Sequence, residues 1–211
     1  MGERLLTLVR HGRTTANASN LLQGHIDNPL DEVGRAQAAL LADALQRVGP
    51  ITRLISSPLM RARQTAEAIH LGGPLQCDVE IDVRWIELNY GDYDAQPASS
   101  IPPEVWAQWR VNEHFRPPNG ETLGELNVRV CEALGDLVAV AQDDLSQKHM
   151  DEHIVVVSHV SPIKAAVAWA LGVGIETSWR TTLDRASMST IRLDPHRPSL
   201  KTFNVTAHDF D

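Results

Sequence analysis

Two histidines in this chain each follow a short apolar run, and their neighbours suit phosphate. His11 stands after Leu5–Val9, between Arg10 and Gly12; His159 stands after Ile154–Val157 and Ser158. A neutral imidazole is a nucleophile that can split one difficult displacement into two easier ones. Guanidinium forks match phosphate oxygens through planar, paired hydrogen bonds. Arg10 adjoins the first histidine, and Arg61 and Arg63 follow another polar turn, Ser56-Ser57. Two imidazoles and several arginines together fit a dianionic phosphoryl group. Taken singly, each of these residues reads equally well as a solvated surface charge. Their joint arrival at the ends of apolar runs is what points to one pocket.

The elements that would position them can be read from the pattern. Leu5–Val9 and Ile154–Val157 are continuous apolar runs of the kind found in buried parallel strands, and open parallel sheets bind ligands beyond the carboxyl ends of their strands. Asp31 reads as a helix N-cap, with Val33, Ala36, Leu40, Ala44 and Val48 at helical spacing and Gly49-Pro50 as the stop. Thr52–Ile55 predicts a second strand. Ser56-Ser57-Pro58 should open a helix to about Ile69, with Arg61 one turn in. Asp78–Val83 alternates like a third strand. Residues 84–120 read as an irregular insertion over the site, with one helix near Pro103–Arg110. A long helix is expected from Thr122 to Ala141, with Leu123, Leu126, Val130, Leu134, Leu137 and Ala141 as its stripe. Another helix should begin at Pro162, with Ile163, Ala166, Val167 and Ala170 inward. Ser189–Leu193 and Lys201–Val205 read as closing strands. The expected fold class is α/β: a single domain over residues 1–211, with a mainly parallel, mixed sheet sandwiched by helices on both faces.

Composition narrows the partners. The 211 residues carry a formal net charge of -8, which disfavours a nucleic-acid surface but not a small anion in a local basic pocket. Cys77 and Cys131 are far apart and imply neither a disulfide framework nor a metal spacing, which suits a reducing cytoplasm. The expectation is a chain with no signal peptide, no myristoylation site, since Leu6 stands where Ser or Thr is needed, and no membrane span.

Blocks along the chain resemble a known family. Leu8-Val9-Arg10-His11-Gly12-Arg13-Thr14-Thr15-Ala16-Asn17 is similar to the signature of the histidine phosphatase superfamily, the phosphoglycerate-mutase-like fold. In order follow Gln23-Gly24 with Asp27, Pro29, Leu30, Gly34 and Gln37; Ser56 to Ala66; Glu87-Leu88-Asn89-Tyr90-Gly91-Asp92-Tyr93; Pro118 to Thr122; and Val157-Ser158-His159. The resemblance implies His11 as nucleophile, Arg10, Asn17, Arg61 and a protonated His159 as holders of the phosphoryl oxygens, and Glu87 as proton donor. It implies no metal and no cofactor. Two departures are plain: Tyr93-Asp94-Ala95 replaces Trp-Glu-Gly, and Val160-Ser161-Pro162 replaces a Gly-Gly pair after the second histidine. Both touch expected pocket walls, so the pocket is read as Gln23, Gly24, Trp106, Trp109 and Val160, with Trp106 and Trp109 forming either a lid or an anchor.

Other signals are weaker. His149-Met150-Asp151-Glu152-His153 has a zinc-peptidase spacing, but it directly precedes a strand and lacks a convincing third ligand. Trp169 reads as core, Ser161 lies in no Gly-x-Ser-x-Gly context, and Asp143-Asp144 reads as a solvated helix end. The expected activity is hydrolysis of small phosphate monoesters through phospho-His11. Phosphoglycerate-mutase-type transfer and non-catalytic phospho-ligand binding are the alternatives. The substrate's identity and the oligomeric state, a homodimer included, stay open.

Overall fold

A computed structural model of the chain describes residues 2–73, 77–143 and 151–207. Its strands are β1 (Arg4–Arg10), β2 (Arg53–Ser56), β3 (Val79–Ile81), β4 (Glu152–Ser158), β5 (Met188–Arg192) and β6 (Ser199–Val205). The α-helices are α1 (Thr15–Ala18), α2 (Glu32–Val48), α3 (Met60–Gly72), α4 (Pro103–Val111), α5 (Leu123–Asp143) and α6 (Val160–Leu171). The strands form one mixed sheet in the order β3-β2-β4-β1-β5-β6. The first three pairings are parallel, and β5 and β6 are added antiparallel beyond β1.

The apolar runs explain why the sheet is covered twice. Successive residues of a strand point to opposite faces. Leu6, Leu8, Ile154 and Val156 therefore join the core beneath α5 and α6, while Val9, Val155 and Val157 join the core beneath α2 and α3. A strand buried on both faces must be apolar at every position, as β4 is from Ile154 to Val157.

Several boundaries differ from the sequence reading. The third strand covers only Val79–Ile81, and Val83–Trp85 turns into a short 3₁₀ helix capped by the Asp82 carboxylate. Helix α3 starts at Met60 after an extended Leu59, so Pro58 lies outside it and Arg61 sits in its first turn rather than a turn deeper. Helix α6 starts at Val160 with His159 as N-cap, so Pro162 falls inside the first turn, where its missing N–H is not needed. The Asp31 cap is present, accepting from the Gly34 N–H at 2.8 Å. However, α2 buries Gly34, Ala38, Leu41, Ala42, Ala44 and Leu45, while Val33 and Leu40 are exposed. Its Ala- and Leu-rich sequence offers two stripes of similar spacing, and packing selects the one containing Leu41 and Leu45. Helix α1 was not anticipated; Thr14 and Asn17 close a capping box around its single turn.

Candidate active site

The parallel β1–β4 register sets Arg10 opposite Ser158, so the next residues, His11 and His159, lie side by side. Their ring centroids are 5.0 Å apart. Both are buried, as is Arg61, which reaches between them from the first turn of α3. Arg61 Nε donates to His11 Nε2 at 3.3 Å and to His159 Nδ1 at 3.2 Å. These contacts define the ring tautomers. His11 Nδ1 lies 2.7 Å from the Gly12 carbonyl, which can only accept, so Nδ1 carries the proton and Nε2 the lone pair. His159 Nε2 lies 2.7 Å from Ser57 Oγ, leaving its Nδ1 as acceptor. Burial first, then the Arg61 charge, holds both rings well below the ordinary histidine range. His159 is therefore neutral here; the imidazolium expected from the sequence belongs to the transition state.

Arg61 also holds a loop. Its Nη1 donates to the Ile26 carbonyl at 2.9 Å and its Nη2 to the Gly24 carbonyl at 2.7 Å. From the other side the Asp94 carboxylate accepts the N–H groups of Gly24 at 2.7 Å and Ile26 at 3.1 Å. Gly24 is required there, because a Cβ would lie 2.6 Å from the Leu88 carbonyl oxygen. Burial lowers the Arg61 guanidinium to about 10, which leaves it charged at neutral pH. The Gln23 carboxamide accepts from the Thr14 hydroxyl at 2.6 Å, and its buried NH₂ has no partner among the described residues. Asn17 is half-buried; its side-chain Oδ1 accepts the Thr14 N–H at 3.2 Å, which leaves its NH₂ available to donate. Burial lowers the Arg10 guanidinium, which donates to the Leu183 carbonyl.

Glu87 is buried beside the second histidine and meets the N-terminus of α6. Its Oε2 accepts the Val160 N–H at 3.1 Å; its Oε1 accepts those of Ser161 at 3.2 Å and Leu88 at 2.7 Å. The Val160-Ser161-Pro162 departure therefore keeps what matters locally, two backbone donors at a helix N-terminus. Tyr90 lies against the same wall and shares a hydrogen bond with the Ser161 side chain; burial, then the nearby Glu87 charge, raises its phenol.

His11, Arg61, His159 and Glu87 gather in one buried cluster beyond the carboxyl ends of β1, β2 and β4. The description of the histidine phosphatase superfamily (branch 1) matches residues 6–206. The chain belongs to the histidine phosphatase superfamily.

Similar proteins of this superfamily include phosphatases and mutases. Phosphoserine phosphatase 1 of Hydrogenobacter thermophilus is 30% identical over 207 residues, covering 96% of this chain and 93% of that protein. The protein named probable phosphoglycerate mutase GpmB of Yersinia enterocolitica is 35% identical over 188 residues, covering 87% and 82%. The structure of mycobacterial glucosyl-3-phosphoglycerate phosphatase superposes with a TM-score of 0.83 at 27% identity, covering 97% of this chain and 100% of that one. Of other mycobacterial relatives, 32% identical over 187 residues, the chain spans only 49% of the length.

The remaining expected residues fall in two groups. Trp109 is 1% exposed and belongs to the core, where it packs against Tyr90, Tyr93, Phe115 and Trp179, so it anchors the insertion. Trp106 stacks on Trp109 with ring centroids 5.4 Å apart, and its indole N–H donates to the Ala98 carbonyl at 3.2 Å. Trp169 packs against the core. His149, Met150 and Asp144 lie outside the described residues. His153 is buried in β4 between Thr7 Oγ1 and the Gly49 carbonyl, and Glu152 pairs with Arg4, so both have structural partners. Among the described residues no group of His, Cys, Asp and Glu could hold a metal ion, and no helix is long and apolar enough to cross a membrane.

Sequence reasoning missed three cations. Lys164 in α6 donates to the Ser178 and Thr181 carbonyls. Arg185 donates to the Asn17 carbonyl and adds positive charge at His11. Arg129 in α5 underlies the Glu87 loop. The only sequence signal for any of them is the position of Arg129 on the long helix, next to the buried stripe.

Proposed function

We propose that the protein hydrolyses small phosphate monoesters, with His11 Nε2 as the group that accepts the phosphoryl unit. The observation that carries this reading is the orientation of His11: its Nδ1–H is tied to the Gly12 carbonyl, and its Nε2 lone pair faces the Arg61 guanidinium. An imidazole held neutral by burial is ready to attack without losing a proton first.

In the first step His11 Nε2 forms a bond to phosphorus while the bond from phosphorus to the ester oxygen breaks. The departing oxygen takes a proton from Glu87, which enters this step as the neutral acid and is restored to it by the water of the second step. Arg10, Arg61, Asn17 and His159 offset charge on the three equatorial oxygens, and His159 donates once it has gained a proton beside that dianion. In the second step Glu87 takes a proton from water, the water oxygen bonds to phosphorus, and the bond to Nε2 breaks. Inorganic phosphate leaves and His11 regains its lone pair. The hydrogen bonds favour one oxygen of Glu87 as the proton carrier. Oε1 already accepts from two N–H groups, whereas Oε2 accepts from one and keeps a position open.

The test is trapping. Native protein mixed with labelled ester and rapidly quenched should retain acid-labile, base-stable label, and His11→Ala should retain none and show no turnover. Near-normal turnover by His11→Ala would sink the mechanism. Incubation with 3-phosphoglycerate, with and without 2,3-bisphosphoglycerate, separates hydrolysis from mutase transfer: release of free phosphate faster than formation of the 2-phospho isomer supports the hydrolase.

A further inference from the structure

We infer that Arg129 is a positioning residue for Glu87. The proposal rests on the reading of Glu87 as the proton carrier. All five guanidinium N–H groups of Arg129 have partners, and these are carbonyls of Arg84, Ile86 and Glu87, which lead into the acid loop Glu87–Tyr93, and the carboxylate of Glu121, which braces it. Nη1 donates to the carbonyls of Arg84 at 2.6 Å and Ile86 at 2.8 Å; Nη2 donates to the carbonyl of Glu87 at 3.2 Å. Nε and Nη2 donate to the two oxygens of Glu121 at 2.8 and 2.9 Å. Glu121 in turn closes on the far side of the loop, donating its N–H to the Asn89 carbonyl at 2.9 Å. The Glu87 carbonyl is shared with His25 Nε2 at 2.9 Å.

The chain around Glu87 has no long regular element to hold it. It runs from a single 3₁₀ turn through an extended Ile86 into the acid loop, and Gly91 must adopt a φ of 56° to leave it. A planar fork with five fixed donors can hold three carbonyls and a carboxylate at once; an ammonium with three donors on a flexible stem cannot. Arg129 sits on α5, whose buried stripe of Leu126, Val130 and Leu134 is packed against the sheet. The acid loop is thereby referenced to the same sheet that carries His11 and His159. Arg129 touches no carboxylate oxygen of Glu87, so it acts through the backbone: it sets where Oε2 stands relative to the departing oxygen.

The experiment compares an alkyl phosphate with 4-nitrophenyl phosphate, measuring kcat/KM and the rate of the first step for native protein, Glu87→Gln, Arg129→Lys and the double variant. A group that matters only through proton delivery should matter most for the poor leaving group. Arg129→Lys should slow the alkyl ester by roughly 10–100-fold, the scale of a misplacement near 1 Å. It should change the nitrophenyl ester by no more than about threefold, because that leaving group needs little protonation. In the Glu87→Gln background the Arg129→Lys loss should largely disappear. Glu121→Gln, which weakens the brace and leaves the loop carbonyls untouched, should show the same split in smaller measure, and it decides the matter if Arg129→Lys does not fold. Equal losses for both esters, or additive losses in the double variant, overturn the proposal while leaving Glu87 in its role. If Glu87→Gln itself fails to distinguish the esters, the reading of Glu87 falls, and the role of Arg129 falls with it.

Discussion

Arg61→Gln tests the centre of the site, because one guanidinium there does three things. It faces both imidazole lone pairs, it lowers both imidazole pKa values, and it holds the Gly24 and Ile26 carbonyls. A glutamine has one short NH₂ and cannot span these partners. The two carbonyls left without a donor would cost about 1–3 kcal/mol each if nothing replaced it. Relief of a buried charge offsets part of that, so stability should fall by only about 1–3 kcal/mol. Catalysis should suffer more. Losing one preorganised donor to the developing charge costs about 10²–10³-fold in kcat. The pH profile gives the discriminating readout. With the Arg61 charge gone, His11 is still lowered by burial, Arg10 and Arg185, but by less, so its pKa moves up toward the ordinary value and the acid limb of kcat/KM should shift to higher pH. The assay is 4-nitrophenyl phosphate turnover from about pH 4 to about pH 8, spanning the ordinary histidine range and the region below it, with urea unfolding in parallel. A loss under about tenfold, equivalent to 1.4 kcal/mol of barrier, would refute the role. An acid limb that stays in place would refute the electrostatics.

Further expectations follow from particular residues. His11 and His159 fold as neutral rings, so the unfolded chain binds more protons than the folded one below their ordinary pKa. Stability should therefore be full above about pH 6.5 and fall as pH drops below it, by up to about 1.4 kcal/mol per pH unit for each ring; denaturant midpoints that are flat through this window would contradict that. Ala95 is a non-glycine residue with a φ of 62°, so Ala95→Gly should raise the unfolding free energy by about 1 kcal/mol, within the usual cost of such a conformation; a lower thermal midpoint would be the wrong sign. Trp109→Ala should cost about 3–5 kcal/mol because it empties a buried site, and Trp106→Ala, half-exposed, distinctly less; the reverse order in urea melts would return Trp109 to the pocket mouth. Treatment with a chelator should leave turnover unchanged, since every proposed step runs through side chains, and a loss restored by zinc or magnesium would reopen the chemistry.

What the sequence made legible was local. Apolar runs at Leu5–Val9 and Ile154–Val157, each followed two residues later by a histidine, placed the strands and the meeting of the two histidines, because a doubly buried strand leaves a continuous signature that needs no partner to be seen. Arg61 was legible for the same reason, one short turn beyond β2. Less accessible was whatever depends on a choice between equal options or on distant pairing. The inward face of α2 is set by packing, because its alanines and leucines fit two stripes. The start of α3 is set by an extended Leu59, which no cap residue announces. The grip of Arg129 on residues more than forty positions earlier, and the meeting of Glu87 with the start of α6, exist only once the chain has folded. The neutrality of His159 could not be read either, since it follows from burial beside a cation contributed by another element.

The register between β1 and β4 also has a consequence in time. It joins segments 148 residues apart in sequence, Arg4 to Glu152 at one end and Arg10 to Ser158 at the other. Parallel pairings over such separations close late, after more local contacts have formed. A slip by one residue would turn the Ile154–Val156 face toward the wrong helices and carry His159 away from His11. As the chain emerges during synthesis, its first histidine, its arginine helix and its acid loop are all made before the strand that bears the second histidine exists. On the proposed mechanism the protein is therefore chemically silent until its central strand slides home and the start of α6 meets Glu87, and recovered turnover in a refolding experiment dates their arrival.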